Sequence, residues 1–248
     1  MKRFEGRTAL VTGASRGLGR SCALAFGKEG AHVVVGYRSR REDAESTVAS
    51  IVRAGGSGRA VALDVRDRKA IAEVVRKTVA EVGGIDILVN NAGVVRDQLF
   101  GMLVREEWDH VLEVNLTGTM QMCKAVVPYM MARSSGSIVN LASVAALKAS
   151  IGQISYAAAK GGVLAFTKTL AAECGPRGVR VNAVVPGMID EGMTTRVNRK
   201  LIERRLSGIP LGRLGRAEEV NHAILFLAGD ESAFMTGQMV IVDGGLSL

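Results

Sequence analysis

Short apolar runs alternate with longer amphipathic stretches along the whole chain. The runs hold four or five residues, mostly Val, Ile, Leu and Ala, which is typical of strands buried on both faces of a sheet. They predict seven strands, at Thr8–Thr12, His32–Val35, Arg59–Leu63, Ile85–Val89, Ser137–Leu141, Arg180–Val184 and Met239–Val242. The stretches between them predict helices at 17–29, 41–54, 68–82, 105–131, 153–174 and 217–228.

This alternation predicts right-handed strand–helix–strand crossovers, and hence an α/β fold with a doubly wound parallel sheet of Rossmann type. The 248 residues suit a single domain, 1–248. Residues 188–208 form the only lengthy segment without a predicted strand, and we interpret them as a lid over a substrate site.

Composition narrows the choice of environment and partners. No apolar run approaches the ~18–20 residues of a membrane span, and no signal peptide is visible, so we expect a cytoplasmic protein without a membrane partner. The three cysteines are far apart, which favours buried thiols over a disulfide framework or a metal site.

The net charge of +8 raises the question of nucleic-acid binding. The excess lies in two blocks, 1–60 and 121–180, without a basic tail, and aromatic side chains are too few to stack on bases. We therefore expect no nucleic-acid partner. Two separate basic patches fit small phosphorylated ligands, or an acidic protein that delivers a substrate, better.

A glycine-rich turn joins the first predicted strand to the first helix. Gly13, Gly17 and Gly19 allow a sharp turn and a close approach of a ligand, and the helix N-terminus offers free N–H groups to a diphosphate. The spacing is G-x-x-x-G-x-G rather than G-x-G-x-x-G, and a purely structural turn is the alternative. Its place between strand and helix favours dinucleotide binding.

The end of the second strand indicates which dinucleotide is bound. An NAD site places a carboxylate there for the ribose hydroxyls, whereas here Arg38 and Ser39 follow the strand and Glu42 is the next acid. The guanidinium of Arg38 suits a 2′-phosphate, with Arg16 beside it. The sequence thus favours NADP(H), with a solvated arginine cluster as the alternative.

Tyr156 and Lys160 are four residues apart in a predicted helix and so share one face. Lowering a phenol pKa from ~10 to ~7 takes about 4 kcal/mol. A lysine cation ~4 Å away supplies about 4 kcal/mol at an effective dielectric of ~20. We therefore expect the pKa of Tyr156 to be lowered toward neutrality and Tyr156 to act as a general acid. A tyrosine and a lysine at this spacing, without other motifs, are more often an ordinary surface pair.

These features occur with others in a fixed order. The motifs are TGxxxGxG at 12–19, Asn90-Asn91-Ala92-Gly93, Asn115, Ser143, YxxxK at 156–160 and Pro186-Gly187. Together they resemble the short-chain dehydrogenase/reductase family over essentially the whole chain. The length, the residues at 106–109 and the ending at 237–245 resemble the branch of 3-oxoacyl-[acyl-carrier-protein] reductases.

The resemblance implies a role for each matching residue. Tyr156 would protonate a carbonyl oxygen that Ser143 also hydrogen-bonds, while Lys160 holds the nicotinamide ribose and Asn115 steadies a water that leads to Lys160. The other cofactor contacts that it implies are the phosphate loop (Gly13, Ser15, Arg16, Gly17, Leu18, Gly19), Arg38 and Ser39, Asp64 and Val65 at the adenine, Asn91, Ala92 and Gly93 beside the ribose, and Pro186, Gly187 and Ile189 at the nicotinamide.

One position departs from the pattern. Two residues after Ile189 the family often has a threonine that contacts the cofactor, and this chain has Glu191. A carboxylate there accepts from a carboxamide but repels a diphosphate. Thr194 or Thr195 would then have to replace the contact.

The function implied by the resemblance is NADPH-dependent reduction of a 3-oxoacyl thioester on acyl-carrier protein, in fatty-acid or polyketide assembly, by a homotetramer. Arg133 and Arg177, near the catalytic helix, would receive the acidic carrier. The alternatives are an NADP-dependent alcohol dehydrogenase for a sugar, steroid or small ketone, and a scaffold without catalysis. The presence of Ser143, Tyr156 and Lys160 disfavours a scaffold.

Overall fold

The strands form one parallel sheet in the order β3-β2-β1-β4-β5-β6-β7. The computed structural model describes residues 2–191 and 206–248. The strands are β1 (Thr8–Val11), β2 (His32–Tyr37), β3 (Ser57–Ala62), β4 (Ile87–Asn90), β5 (Gly136–Leu141), β6 (Val179–Pro186) and β7 (Met239–Val242). The predicted doubly wound parallel sheet is confirmed, with its strand ends displaced by no more than two residues.

Helices alternate with these strands, as the pattern predicted. They are α1 (Gly17–Lys28), α2 (Arg41–Arg53), α3 (Arg68–Val82), α4 (Arg105–Leu112), α5 (Gly118–Ala132), α6 (Ile154–Cys174) and α7 (Ala217–Ala228). None of the helices in the described ranges is long and apolar enough to cross a membrane. Most of the segment interpreted as a lid, 192–205, lies outside the described residues.

The predicted helix over 105–131 is interrupted. A π-helical turn, Glu113–Thr117, separates α4 from α5. Inside it, the Asn115 side-chain amide donates to the Val111 carbonyl (2.8 Å), and the Thr119 hydroxyl donates to the Asn115 carbonyl (2.8 Å). These side-chain bonds satisfy carbonyls that a regular helix would pair with backbone N–H groups. The apolar periodicity continues through the turn and does not reveal it.

Two apolar layers cover the sheet. Successive strand residues face opposite sides: Val33 packs in the layer under α1 and α7, and Val34 in the layer under α3, α5 and α6. Phe26 and Ile224 fill the first layer and are fully buried. The central strands are therefore buried on both faces, which explains their continuous apolar character.

The strand order reverses between β1 and β4, and a crevice opens at their carboxyl ends. The Thr12 hydroxyl accepts hydrogen bonds from the backbone N–H groups of Asn91 and Ala92, each at 3.0 Å. The Asn91 side-chain amide donates to the carbonyls of Thr12 (2.9 Å) and Gly13 (3.1 Å). The loops after β1 and β4 are thus locked together at the base of the crevice.

Gly19 is the point where α1 approaches this lock most closely. A Cβ at position 19 would overlap the Gly13 carbonyl oxygen and the Asn91 side-chain nitrogen. The backbone oxygen cannot move without opening the turn, so only glycine fits.

We expect Gly19→Ala to lower the free energy of unfolding by about 1–3 kcal/mol, the usual cost of overpacking a tight contact. Urea denaturation followed by circular dichroism measures this. Gly175→Ala is the matched control, because Gly175 has helical backbone angles and open space around its Cβ direction. Equal urea midpoints for the two variants would contradict the packing argument.

Candidate active site

A cleft of about 480 Å³ lies at the carboxyl edge of the sheet, above the ends of β1, β4, β5 and β6. It brings together residues from across the chain that the sequence singled out. These are Gly13, Ser15, Arg16, Gly17, Leu18, Gly19, Arg38, Ser39, Asp64, Val65, Asn91, Ala92, Gly93, Ser143, Tyr156, Lys160, Pro186, Gly187 and Ile189.

Asn115 is the exception, since it is fully buried and does not line the cleft. Its amide nitrogen donates to the carbonyls of Val94 (2.8 Å) and Val111 (2.8 Å), and its side-chain oxygen accepts from the Val94 N–H (3.2 Å). A Cβ at Gly93 would lie 2.6 Å from that oxygen. The side chain therefore fixes the loop after β4 against the π turn, and its predicted support of a water stays a prediction.

The amino end of α1 has the character of a site for a diphosphate. Gly13 and Gly17 have φ of +64° and +53°, which turn the chain sharply into the helix. The helix has no side-chain cap and no acidic residue in its first turn. Its N–H groups and positive dipole end are therefore available to an anion in the cleft, which fits a dinucleotide cofactor.

Positive charge gathers at the far end of the cleft, after β2 and β3. Arg66 binds Asp64 through two nitrogens, at 3.0 Å and 2.6 Å, which lowers the pKa of that carboxyl group. Arg40 pairs with Asp43 (3.0 Å). Within 2–191 and 206–248, Arg38 makes no hydrogen bond or ion pair, and the nearby charge of Asp64 is its electrostatic partner. Its guanidinium is thus positioned to meet a ligand phosphate.

Tyr156 lies at the opposite end of the cleft and is buried. Burial raises the pKa of its hydroxyl to about 12, a hydrogen bond with Ser143 lowers it, and the charge of Asp97 raises it. Ser143 follows β5, and its hydroxyl accepts from the Ala145 N–H (3.2 Å). The phenol is therefore held protonated beside a second hydroxyl.

The expectation of a Tyr156 pKa near neutrality is wrong for the protein without ligands. The Lys160 ammonium lies 5.7 Å from the centre of the Tyr156 ring and donates to the Leu141 carbonyl (2.6 Å). Burial lowers the pKa of Lys160 to about 8, so its charge is itself disfavoured in this place. Desolvation of both groups outweighs the attraction that the sequence argument assumed.

The remaining wall of the cleft is formed after β6. The Gly187 N–H donates to the Val242 carbonyl (2.9 Å), and a Cβ at Gly187 would lie 2.7 Å from the Asp243 Cα. Ile189 is buried and pairs with Gly215. Pro186 ends β6 and is buried with it. This wall is thus backbone packed on backbone.

Glu191 enters the cleft from this wall. Burial raises the pKa of its carboxyl group, the nearby Glu218 and Asp190 raise it further, and Arg20 lowers it. A carboxylate does stand close to the amino end of α1, as the departure from the family pattern indicated. The candidate replacements Thr194 and Thr195 lie outside the described residues.

Sequence reasoning missed several residues of the cleft. Most of them contribute wall or backbone rather than a chemical group, and Leu141 contributes the carbonyl that holds Lys160. The rule that ligands bind at the carboxyl ends of parallel strands is the signal that points to them. They are Arg40, Leu63, Val94, Val114, Leu141 and Ala142.

Arg133 and Arg177 do not lie beside this cleft. Arg133 donates to the Ile85 carbonyl (2.8 Å) and pairs with Asp86 (3.1 Å), just before β4 begins. Arg177 lies just before β6. Both therefore lie at the amino edge of the sheet, a strand length of about 20 Å from the cleft. Arg177 is close in sequence to the carboxyl end of α6, whereas Tyr156 lies in the first turn of that helix. Closeness in sequence to α6 therefore does not place Arg177 at the cleft.

Lys160 gives a test of the buried pair. Since its pKa is about 8 in the folded protein and about 10.4 unfolded, the unfolded chain binds more protons between these values. The contribution of Lys160 to the free energy of unfolding should therefore rise with pH across this window, by up to about 3 kcal/mol. Lys160→Met removes this contribution, so the free energy of unfolding of the wild type minus that of the variant should rise between pH 8 and pH 10.

Urea denaturation between pH 7 and 10 measures the difference. Lys168→Met, the same change at an exposed position of α6, is the control and should leave the slope unchanged. A wild-type slope equal to that of Lys160→Met would mean that Lys160 is not desolvated.

The chain is similar to known proteins over nearly its whole length. Residues 13–247 match the family model described as enoyl-(acyl carrier protein) reductase. The chain is 47% identical to 3-oxoacyl-[acyl-carrier-protein] reductase FabG of Thermotoga maritima, over 98% of this chain and 99% of that protein. It is 44% identical to 3-oxoacyl-[acyl-carrier-protein] reductase of Synechocystis, over 99% of each.

Solved structures show the same similarity. The 3-oxoacyl-[acyl-carrier protein] reductase of Brucella melitensis superposes with a TM-score of 0.94 at 36% identity, over 100% of this chain and 93% of that one. A Burkholderia xenovorans structure assigned to the short-chain dehydrogenases/reductases gives 0.95 at 38%, over 100% and 98%. The chain therefore belongs to the short-chain dehydrogenase/reductase family and is an oxidoreductase that uses a nicotinamide cofactor.

Proposed function

We propose that the protein reduces a 3-oxoacyl thioester, carried on acyl-carrier protein, to the 3-hydroxyacyl thioester with NADPH. The observation that carries this proposal is a buried, protonated phenol at one end of a cleft whose other end presents a helix N-terminus and an arginine. A proton donor and an anion site in one cleft suit a ketone and a dinucleotide. The names of the relatives support the thioester.

In this proposal, Tyr156, Ser143 and Lys160 have separate roles in the reduction of the ketone. Tyr156 donates its proton to the ketone oxygen, and the Ser143 hydroxyl hydrogen-bonds the same oxygen as negative charge develops there. Lys160, held by the Leu141 carbonyl, would orient the ribose next to the nicotinamide, and its positive charge would stabilise the phenolate that remains when Tyr156 gives up its proton. The cofactor supplies the hydride that the ketone carbon receives. Ala142 and Pro186 help to exclude water from this end.

The preference for NADPH is proposed from Arg38. It directly follows β2, where an NAD site has a carboxylate. The nearby Asp64 is already bound to Arg66, and Asp43 is bound to Arg40. A 2′-phosphate would be the partner that completes the arginine cluster.

Assembly and pathway are also part of the proposal. A homotetramer, a cytoplasmic location and a place in fatty-acid or polyketide assembly are predictions from the family. The acyl-carrier protein as partner rests on the names of the relatives.

The primary test is initial-rate oxidation of NADPH with an acetoacetyl thioester on carrier protein and on coenzyme A. We expect turnover that Tyr156→Phe reduces by about 10²–10⁴-fold, the usual range for a general acid. Tyr129→Phe, the same change at a half-exposed position on α5, should leave the rate unchanged. Tight NADPH binding without thioester turnover would favour the alcohol-dehydrogenase or scaffold alternatives.

Arg38 gives a separate test of cofactor choice. Loss of a charge-assisted contact costs about 1.5–3 kcal/mol, so Arg38→Ala should lower kcat/KM for NADPH by about 10- to 150-fold. The value for NADH should not fall, because NADH lacks the phosphate. Arg41→Ala is the control, since Arg41 is exposed and paired with Glu45 (2.7 Å). An equal loss for both cofactors would contradict a phosphate contact.

A further inference from the structure

Two loops that border Tyr156 are tied together at two neighbouring residues, Asp97 and Gln98. The loop after β4 meets the loop before α6, where the Gln98 N–H donates to the Gly152 carbonyl (2.8 Å). Next to this contact, the Gln153 side-chain amide donates to the Asp97 carboxylate (3.0 Å). Gln153 immediately precedes α6, the helix that carries Tyr156. Asp97 thereby connects the β4 loop to the first turn of the catalytic helix.

Within 2–191 and 206–248, three polar residues act on Tyr156: Ser143, Lys160 and Asp97. Ser143, after β5, hydrogen-bonds its hydroxyl, and Lys160 lies on its own helix. From α4, the apolar side chain of Val111 packs against it. Asp97 is the acidic group whose charge acts on the phenol from the β4 loop. The loop contact thus also decides where a negative charge stands relative to the proton donor.

We propose that Asp97 is a positioning residue: its hydrogen bond with Gln153, three residues before Tyr156, fixes the loop after β4 on α6 and holds a carboxylate at the amino end of that helix. This proposal rests on the proposed role of Tyr156 as proton donor. A fixed negative charge favours the neutral phenol, which gives a proton during reduction, over the phenolate, which takes one during oxidation. Asp97 therefore raises the pH at which the phenolate becomes available.

The size of the effect follows from exposure. Asp97 is exposed, so water and salt weaken its field. At low ionic strength we expect the carboxylate to contribute about half a pH unit to the Tyr156 pKa. In 1 M salt, where the screening length falls to about 3 Å, most of that contribution should vanish.

The test is titration of Tyr156 by ¹³C NMR in protein labelled at the tyrosine Cζ. The chain has three tyrosines, and Tyr156→Phe identifies the resonance. Asp97→Asn keeps an acceptor for Gln153 but removes the charge. We expect the ionised fraction of Tyr156 at pH 10.5 to rise about threefold, which corresponds to half a pH unit. Circular dichroism at the same pH verifies that each variant is folded.

Two further variants separate charge from position. Gln153→Ala leaves the carboxylate but frees it, so the Tyr156 pKa should fall by less than in Asp97→Asn. Asp109→Asn is the matched control, because it removes an exposed carboxylate of α4 that pairs with Arg105 (2.7 Å). It should leave the Tyr156 titration unchanged.

The wild-type protein gives an independent reading. Raising the salt concentration from 0.05 to 1 M should lower its Tyr156 pKa by the same half unit, and Asp97→Asn should lack this response. An unchanged Tyr156 titration in Asp97→Asn, or an equal shift in Asp109→Asn, would overturn the proposal. Because this titration needs no substrate, its result is independent of thioester turnover, which tests the proposed function.

Where turnover is found, the pH profile of the reverse reaction adds a kinetic readout. Oxidation of the 3-hydroxyacyl thioester requires the phenolate, so Asp97→Asn should move its acidic limb to lower pH by a similar amount. A purely structural role would change kcat or KM without moving that limb.

Discussion

The whole site depends on one constraint, the reversal of strand order between β1 and β4. Because the helices that follow these strands turn to opposite faces, their loops separate and leave a crevice. Thr12 limits the separation by accepting two backbone N–H groups of the β4 loop, and Asn91 returns two hydrogen bonds. The crevice is therefore open to a ligand but rigid at its base, and the phosphate loop and the β4 loop keep a fixed relation.

At the end of the cleft that holds Tyr156 and Lys160, burial affects the protonation of the side chains more than neighbouring charges do. Tyr156 and Lys160 are both desolvated, and their pKa values are displaced toward the neutral forms. A neutral phenol is a proton donor, which is what reduction of a ketone needs. A cationic nicotinamide and a polar substrate would change this balance, so the protonation of the pair is coupled to what occupies the cleft.

The sequence allowed the sheet, its strands and most of the cleft to be predicted because periodicity and glycine spacing report local backbone requirements. Gly13 and Gly19 show this directly, since their lack of a side chain marks a close contact. The hydrogen bonds by which Asn115 fixes the loop after β4 could not be predicted, because a side chain that bonds three backbone groups leaves no periodic trace in the sequence. The protonation of Tyr156 depends on burial by residues distant in sequence, which spacing alone does not reveal. Arg177 could not be placed from the sequence, because closeness to α6 does not show that the carboxyl end of this helix lies away from the cleft.

The turn after β7 lies outside the cleft and contacts two of the loops that border it. Asp243 accepts the N–H groups of Gly245 (2.9 Å) and Ser247 (2.7 Å), and its backbone supports Gly187. Lys148, in the loop after β5, donates to the Leu246 carbonyl (2.5 Å). Residues 243–248 therefore link the loop after β5 to the loop after β6 at the nicotinamide end of the cleft. Exchanging these residues between relatives is expected to change cleft geometry without altering any residue that lines the cleft.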